Sequence, residues 1–266
     1  MRITLLANRD LYSNFALNHL VKALSVDHSL TLCLSQNVGP AQPQPDLRML
    51  AFYEQTLPNR LWFPLVDAVD QKGELLTFQG LAAYLETPPM SLSAPNSQDG
   101  LLVLANNSPD LIVSVRFGHI LKSPAIAIPR LGVLNLHSGK LPAYRGVMAT
   151  FRALLNQDVT LGTTLHWIDS ESIDSGPIIS QQSLPRDPSR CYLGNVLSLY
   201  EAGCSDLLQT IRALSHHQTP NSDPAPDGGA YYSFPNEGDI CRFNAAGHQW
   251  VDPNWLVTFL QRYRHH

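Results

Sequence analysis

Three side chains that could act together on a carbonyl group lie in the middle of the chain. Asn135 and His137 follow the apolar run 131–134, and Asp174 lies in a loop between two later apolar runs. Residues two apart on an extended strand point to the same side, so the amide and the imidazole are expected next to each other. The carboxyl end of a strand is also where open α/β sheets keep their ligand crevices. An amide, an imidazole and a carboxylate are the groups needed to attack and release an acyl-type carbonyl.

The segments that must position these residues alternate between strand-like and helix-like patterns. Residues 2–7, 29–35 and 110–115 are short apolar runs typical of buried strands, whereas 15–24 and 99–105 carry apolar residues at helical spacing. Such alternation is typical of a parallel sheet covered by helices. The sequence therefore predicts an α/β fold with an open, mostly parallel, twisted sheet and helices on both faces.

The remaining segments are less regular. Pro58 and Pro64 are expected to break an apolar stretch around Trp62. In chain order, we predict a linker at 39–46, helices at 47–57 and 75–85, a strand at 91–95, a helix at 150–155, strands at 161–168 and 177–184, and one long helix at 191–214. The region from 39 to 89 carries no recognisable motif and is expected to shape a substrate site or to pack against the sheet.

The composition excludes several classes of protein. Charged residues make up 15% of the 266 residues, below the roughly 25% typical of soluble domains, and the net charge is −4. This charge argues against a surface that holds nucleic acid. The four cysteines show neither CxxC pairing nor metal-ligand spacing, which is typical of thiols in a reducing compartment. No apolar run approaches the ~20 residues of a membrane span and no signal-peptide pattern is present, so we expect a cytoplasmic protein without a membrane partner.

Several separately spaced motifs resemble those of the formyltransferases that use 10-formyltetrahydrofolate. They are Asn-Leu-His at 135–137, LPAYRG at 141–146, GTTLH at 162–166 and DSGPII at 174–179. The family includes glycinamide ribonucleotide transformylase, methionyl-tRNA formyltransferase, nucleotide-sugar N-formyltransferases and formyltetrahydrofolate deformylase. One departure is Gly139-Lys140, where many relatives have a small residue followed by leucine. We interpret it as a change in loop shape and charge that leaves the catalytic positions in place.

The resemblance implies a Rossmann-like formyltransferase fold and transfer of a formyl group to an amine. Asn135, His137 and Asp174, here called the catalytic trio, are then the catalytic residues. The barrier is a tetrahedral intermediate with a developing oxyanion, for which Asn135 supplies an N–H donor and protonated His137 a second, charged donor. Asp174 beside His137 favours the protonated imidazole and can take a proton from the attacking amine.

The resemblance also assigns residues to the two sides of the site. The folate cofactor, 10-formyltetrahydrofolate with tetrahydrofolate as product, is expected to contact a set of residues around two loops: Phe117, Gly118, Ile120, Leu121, Asp169 and Ile173. Arg9, Tyr144 and Arg145 are expected on the substrate side. The first loop, 8–14, contains no glycine, so a backbone phosphate nest is not expected there, and Arg9 could reach an anion or remain a solvated arginine. We expect no metal, although His137, His166, Asp169 and Asp174 include types that ligate zinc.

The predicted organisation is a catalytic domain at 1–215, a linker at 216–229 and a small C-terminal extension at 230–266. Residues 231–243 resemble the segment that follows the catalytic domain in several of these enzymes, and a cap built on Trp250, Trp255 and Leu260 is expected after it. About 23 residues follow 243, too few for the β-barrel that methionyl-tRNA formyltransferases append.

The expected acceptor is the amine of a small molecule. A nucleotide-linked amino sugar is the first hypothesis, and an amino acid, siderophore or peptide intermediate is the second. Nucleic acid is not expected as a partner, and a homodimer is possible. The alternatives are a formyltetrahydrofolate hydrolase, in which water replaces the amine, and a folate-binding protein without turnover.

Overall fold

Nine strands form the framework of the described part of the chain. The computed structural model describes residues 1–36, 39, 43–69, 73–226 and 228–264. The strands are β1 Arg2–Asn8, β2 Ser29–Ser35, β3 Met90–Ser91, β4 Leu111–Val115, β5 Val133–His137, β6 Tyr144–Gly146, β7 Thr160–Ile168, β8 Ile178–Pro185 and β9 Ala230–Tyr232. Seven of them form one sheet in the order β3-β2-β1-β4-β5-β7-β8, and β6 pairs with β9 in a separate two-stranded sheet.

The large sheet is mostly parallel. Strands β3, β2, β1, β4 and β5 run in the same direction, whereas β7 is antiparallel to both β5 and β8. This arrangement confirms the predicted fold class. The carboxyl ends of β1, β4 and β5 therefore meet at one edge, where a ligand crevice is expected.

Eleven α-helices are described around these strands. They are α1 Leu11–Leu24, α2 Pro45–Ala51, α3 Phe63–Ala68, α4 Phe78–Leu81, α5 Gln98–Asn106, α6 Ser123–Ile126, α7 Ala149–Leu155, α8 Tyr192–Ser198, α9 Tyr200–Ser215, α10 Glu237–Ala245 and α11 Pro253–Gln261. Along β1, Leu5 packs into a large core that includes Leu17 of α1 and Leu207 of α9, whereas Leu6 packs on the opposite face with Leu104 of α5. Side chains alternate between the two faces along each strand, so the sheet contributes to two cores, one on each face.

Helix α1 begins four residues earlier than the predicted start at 15. Asp10 caps it, because its Oδ1 accepts the N–H of Ser13 at 2.7 Å. Carboxylates are favoured at this position because they satisfy a free helical N–H and face the positive end of the helix. The segment 8–14 is therefore the end of β1 and the first turn of α1 rather than a loop.

The predicted break at Pro58 and Pro64 is wrong. Helical turns follow one another from Pro45 to Ala68, with wide π-helical turns at Phe52–Thr56 and Pro58–Trp62 between α2 and α3. Both prolines lie at the first or second position of a new helical segment, where a missing N–H costs little. Pro45 and Asp46, predicted in the linker, start this helix, and residues 40–42 of that linker lie outside the described residues.

Three other predicted elements differ from the structure. The helix expected at 75–85 is only α4 followed by a 3₁₀ turn at Ala82–Tyr84, because Thr77 caps a new start. The strand expected at 91–95 is the two-residue β3. The long helix expected at 191–214 is divided at Leu199 into α8 and α9. At this point the Leu199 N–H donates to the carbonyl of Val196, three residues earlier.

The C-terminal extension packs into the core of the remaining chain. Trp250, Leu256, Phe259 and Leu260 belong to the same buried cluster as Leu5, and the hydroxyl of Tyr263 donates to Asn14 Oδ1 of α1 at 2.6 Å. The division into catalytic domain, linker and extension stays a prediction. Among the described helices, none has the length and apolar character needed to cross a membrane.

Candidate active site

A cavity of about 470 Å³ opens where β1, β4 and β5 end, and all members of the catalytic trio line it. The sheet register explains why they meet. Ser114 of β4 lies beside Asn135 of β5, and Asn135 lies beside His166 of β7, so these side chains form a row across the sheet. Asn135 and His137 both face the cavity, two residues apart, as the strand pattern predicts.

His166 fixes the orientation of the Asn135 amide. Its Nδ1 lies 2.8 Å from the carbonyl oxygen of Trp167, which can only accept, so Nδ1 carries the hydrogen. In the neutral ring, Nε2 then accepts, and it receives the Asn135 Nδ2 hydrogen at 3.0 Å. The other hydrogen of Nδ2 faces Asp174 Oδ1 at 3.4 Å, which is long for a hydrogen bond. That hydrogen is therefore available to a carbonyl oxygen in the cavity.

His137 is held by a backbone carbonyl. Its Nε2 lies 2.7 Å from the carbonyl oxygen of Tyr144 and must donate to it. Its Nδ1 faces Asp174 Oδ2 at 3.5 Å. The Asp174 carboxylate can accept a hydrogen from Nδ1, although 3.5 Å is long for a hydrogen bond. Because the Nδ1 contact is loose, this atom can turn its hydrogen to a bound substrate.

Asp174 occupies a left-handed backbone position, with φ of 49°. Its Oδ2 accepts the N–H of Gly146 at 2.8 Å. Burial by itself raises the pKa of the Asp174 carboxyl, but the charge of His137 and the hydrogen bond from the Gly146 N–H contribute to lowering this pKa to about 2. Asp174 is therefore an ionised carboxylate at neutral pH. An unusual backbone conformation at a buried charged residue is typical of functional sites.

The loop that follows β5 braces the trio. Arg145 Nε donates to the Ile173 carbonyl at 3.0 Å, which ties this loop to the residue before Asp174. Gly139 lies against His137, because an added Cβ would be 2.8 Å from His137 Nε2 and 2.4 Å from the Cβ of Ala149. Lys140 Nζ donates to Thr160 Oγ1 at 2.6 Å, outside the cavity wall. The departure at Gly139-Lys140 therefore coexists with a closely packed His137.

Most of the residues expected to contact folate line the cavity. The lining includes Phe117, Gly118, Ile120, Leu121 and Ile173. Ile120 is 52% exposed, and such an exposed large apolar side chain at a cavity rim can cover a flat ring. The predicted Asp169 is not among the described residues that line the cavity.

The three residues expected on the substrate side lie elsewhere in the structure. None of them is among the described lining residues. The guanidinium of Arg9 lies over the ring of Phe78, and Arg145 braces the Asp174 loop. The Tyr144 hydroxyl donates to Asp158 Oδ2 at 2.7 Å, and only its carbonyl reaches the site, through His137.

Several lining residues were not assigned from the sequence. The sequence presents His166 only as a residue type that ligates metals. Its role beside Asn135 depends on the pairing of β5 with β7, which the sequence of a single strand does not reveal. Glu54 comes from the helix predicted at 47–57 and lines the cavity. A charged residue at helical spacing from Leu47 and Leu50, on the apolar face of that helix, is a pattern that the sequence already shows. Tyr231 and Phe234 bring the C-terminal extension to the cavity wall, and Asp10 and Arg116 lie at the ends of β1 and β4.

The imidazoles of the site are engaged by protein groups. Each of His137 and His166 gives one nitrogen to a backbone carbonyl and the other to the Asp174 carboxylate or the Asn135 amide. Within the described ranges, no group of three or more His, Cys, Asp and Glu side chains has the arrangement of a metal site. The expectation that no metal takes part stays a prediction.

The part of the chain that carries this site is similar to known proteins. Residues 77–191 match the family model described as formyl transferase, and this range contains the whole catalytic trio. The methionyl-tRNA formyltransferase of Syntrophus aciditrophicus is 30% identical over 167 residues, which cover 58% of this chain and 53% of that protein. This chain thus spans about half the length of the curated relatives it matches.

Solved structures share the fold at low sequence identity. A sugar N-formyltransferase from Shewanella sp. FDAARGOS_354 has a TM-score of 0.57 and 14% identity, and the match covers 96% of this chain and 94% of that one. A sugar 3N-formyl transferase determined in the presence of dTDP and 5-N-formyl-THF has a TM-score of 0.56 and 16% identity, over 88% of this chain and 69% of that one. The family resemblance stated from the sequence motifs is confirmed by the match of residues 77–191 to the formyl transferase model and by the similarity to these relatives.

Proposed function

We propose that this protein is an N-formyltransferase that moves a formyl group from 10-formyltetrahydrofolate to the primary amine of a small molecule. The observation that carries the proposal is the convergence of Asn135, His137 and Asp174 in one cavity of about 470 Å³. That volume is within the range of roughly 300–1,000 Å³ typical of ligand pockets.

The transfer forms one carbon–nitrogen bond and breaks another. The acceptor amine attacks the formyl carbon, the bond from that carbon to N10 of the folate breaks, and the proton lost by the amine goes to N10. Asn135 Nδ2 and His137 Nδ1 supply the two hydrogens that stabilise the developing oxyanion, worth about 3–4 kcal/mol per donor. Asp174 holds the charge of His137 and accepts the proton of the amine, directly or through a water.

The residues expected around the folate fit a flat, partly apolar group. Phe117, Leu121 and Ile173 supply apolar surface, and Ile120 stays exposed at the rim. Asp169 and the substrate-side roles of Arg9, Tyr144 and Arg145 are weaker parts of this assignment because those residues lie outside the described lining.

A nucleotide-linked amino sugar remains the first acceptor hypothesis, and an amino acid, siderophore or peptide intermediate the second. The fold is shared with two sugar formyltransferases, one of them determined with dTDP. The curated relatives, in contrast, are named for methionyl-tRNA. We favour a small molecule over tRNA because the net charge is −4. A cytoplasmic location and a homodimer also remain predictions.

The test follows tetrahydrofolate release from 10-formyltetrahydrofolate, with and without pools of amines and nucleotide-linked amino sugars. Release that depends on one added amine supports the proposal and names the acceptor class. Release in buffer alone, unchanged by any amine, indicates a hydrolase instead. No release with any pool, together with measurable folate affinity, indicates a binding protein and contradicts the proposal.

A further inference from the structure

A second group of charged side chains lines the cavity outside the catalytic trio. It consists of Asp10, Glu54 and Arg116, here called the Arg116 cluster. Asp10 caps α1, Glu54 lies on the π-helical turn Phe52–Thr56, and Arg116 follows β4 in a left-handed backbone position with φ of 60°. Three elements distant in sequence thus bring two carboxylates and one guanidinium to the same cavity wall.

The guanidinium of Arg116 contacts neighbouring protein groups. Its Nε lies 3.6 Å from Asp10 Oδ2, and its Nη1 donates to the Tyr200 hydroxyl at 3.4 Å. Its guanidinium carbon lies 4.4 Å from the centre of the Tyr12 ring. Asp10 is only 2% exposed. The guanidinium therefore lies beside a buried carboxylate that offsets part of its charge, although its Nε makes no hydrogen bond within the described part of the chain.

The N-terminus of α1 is closed to anions. Such an end attracts phosphate through free N–H groups and its partial positive charge. Here the Asp10 carboxylate takes that position and accepts the Ser13 N–H. A phosphate placed there would meet a buried negative charge.

Glu54 keeps unused capacity to accept hydrogen bonds. Its Oε1 accepts from Gln55 Nε2 at 3.1 Å, and the Tyr12 hydroxyl lies near it. A carboxylate has about four lone-pair positions, so a ligand in the cavity can donate to the remainder. Burial first, and then the charge of Asp10, raise the pKa of the Glu54 carboxyl to about 7. The groups that face it are Asp10, Arg116, Tyr12 and Tyr192.

We propose that the Arg116 cluster binds the amine-bearing part of the acceptor, and that this part is rich in hydrogen-bond donors and free of phosphate. Hydroxyl groups of an amino-sugar ring or a second ammonium group supply such donors to Glu54. Above neutral pH, where Glu54 is ionised, two carboxylates face one guanidinium, so the cluster attracts donors and repels anions. The inference rests on the proposed function, and a phosphate elsewhere in the acceptor would lie beyond the cluster.

The test measures ligand binding separately from turnover. Thermal unfolding of the wild-type protein and of Glu54→Gln is followed with increasing glucosamine, ornithine and glucosamine 6-phosphate. Glucosamine tests the hydroxyl source, ornithine tests the ammonium source, and the phosphate ester is the matched anionic probe. Glu201→Gln, an exposed carboxyl on α9, is the control variant.

We expect glucosamine or ornithine to raise the Tm of wild type and of Glu201→Gln, with binding weakened about tenfold or more in Glu54→Gln. Glucosamine 6-phosphate is expected to bind more weakly than glucosamine. Equal binding to wild type and Glu54→Gln, stronger binding of the phosphate ester, or no binding of any probe overturns the inference. The tetrahydrofolate assay reports separately on the proposed function, because it requires transfer and not only binding.

Discussion

The catalytic trio and the Arg116 cluster share one cavity but are held in different ways. The trio and its supports come from the stretch from β5 to β8. Its members contact one another only at 3.4–3.5 Å, but each is fixed by a hydrogen bond of 2.7–3.0 Å to a group outside the trio. The Arg116 cluster is assembled from three distant parts of the chain through contacts of 3.4–3.6 Å. A short, dense hydrogen-bond network specifies one reaction, whereas looser contacts between distant elements leave room for the choice of acceptor.

The largest loss of turnover is expected from removing a member of the catalytic trio. His137→Ala deletes a charged donor to the oxyanion, and we expect turnover to fall by about 10²–10³-fold. The affinity for 10-formyltetrahydrofolate should change little, since the folate wall is separate. Rapid-mixing kinetics and calorimetric folate titration measure the two quantities. The exposed His216→Ala is the control, and unchanged turnover in His137→Ala would remove this residue from the mechanism.

A smaller loss is expected from disturbing the packing of the trio without removing it. The Cβ of Gly139→Ala would collide with Ala149 and displace His137, so we expect turnover to fall by roughly tenfold to a hundredfold. Gly238→Ala, within α10, is the matched control and should leave turnover unchanged. Equal activity of both variants would mean that the loop yields easily and that the site is less tightly held than the contacts indicate.

The Arg116 cluster should show itself in the pH dependence of stability. Since the pKa of Glu54 is about 7 in the folded state and about 4.3 in an unfolded chain, the folded protein keeps a proton that the unfolded chain loses between these values. Its contribution to the free energy of unfolding therefore falls as pH rises through this window. We measure the free energy of unfolding of wild type and Glu54→Gln by urea unfolding. The difference between them is expected to favour wild type more at pH 5 than at pH 8. A difference independent of pH would mean that Glu54 has an ordinary pKa.

The smallest effect on turnover is expected at Tyr144. Tyr144→Phe removes the hydroxyl that joins Asp158 and Asn156, which should lower the free energy of unfolding by about 1–2 kcal/mol. Turnover should stay within about twofold, because the Tyr144 carbonyl still holds His137. Urea unfolding and the tetrahydrofolate assay measure the two effects. A large rise in the KM of the acceptor alone would contradict this expectation and would indicate that Tyr144 contacts the acceptor.

The sheet and the adjacent positions of Asn135 and His137 could be predicted because their signals are local, whereas Asp174 joins them only through the family resemblance. Apolar runs mark β1, β2 and β4, and the two-residue spacing of Asn135 and His137 already places both side chains on one face. The helix predicted at 47–57 covers the first half of the helical segment from Pro45 to Ala68. Its continuation past Pro58 could not be predicted, because the sequence shows no local pattern for the π-helical turns that accommodate the prolines. The pairing of Arg116 with Asp10 could not be predicted either, since it depends on β1 and β4 lying side by side.

The pairing of β6 with β9 has a consequence for the newly made chain. Gly146, whose N–H holds Asp174, pairs with Tyr232, and the Val147 N–H donates to the Tyr232 carbonyl at 2.8 Å. A ribosome completes the trio long before it reaches Tyr232, so the nascent chain contains every catalytic residue while the loop that carries Gly146 still lacks its partner strand. The loop that carries Gly146 therefore gains its partner strand only after β9 has been made.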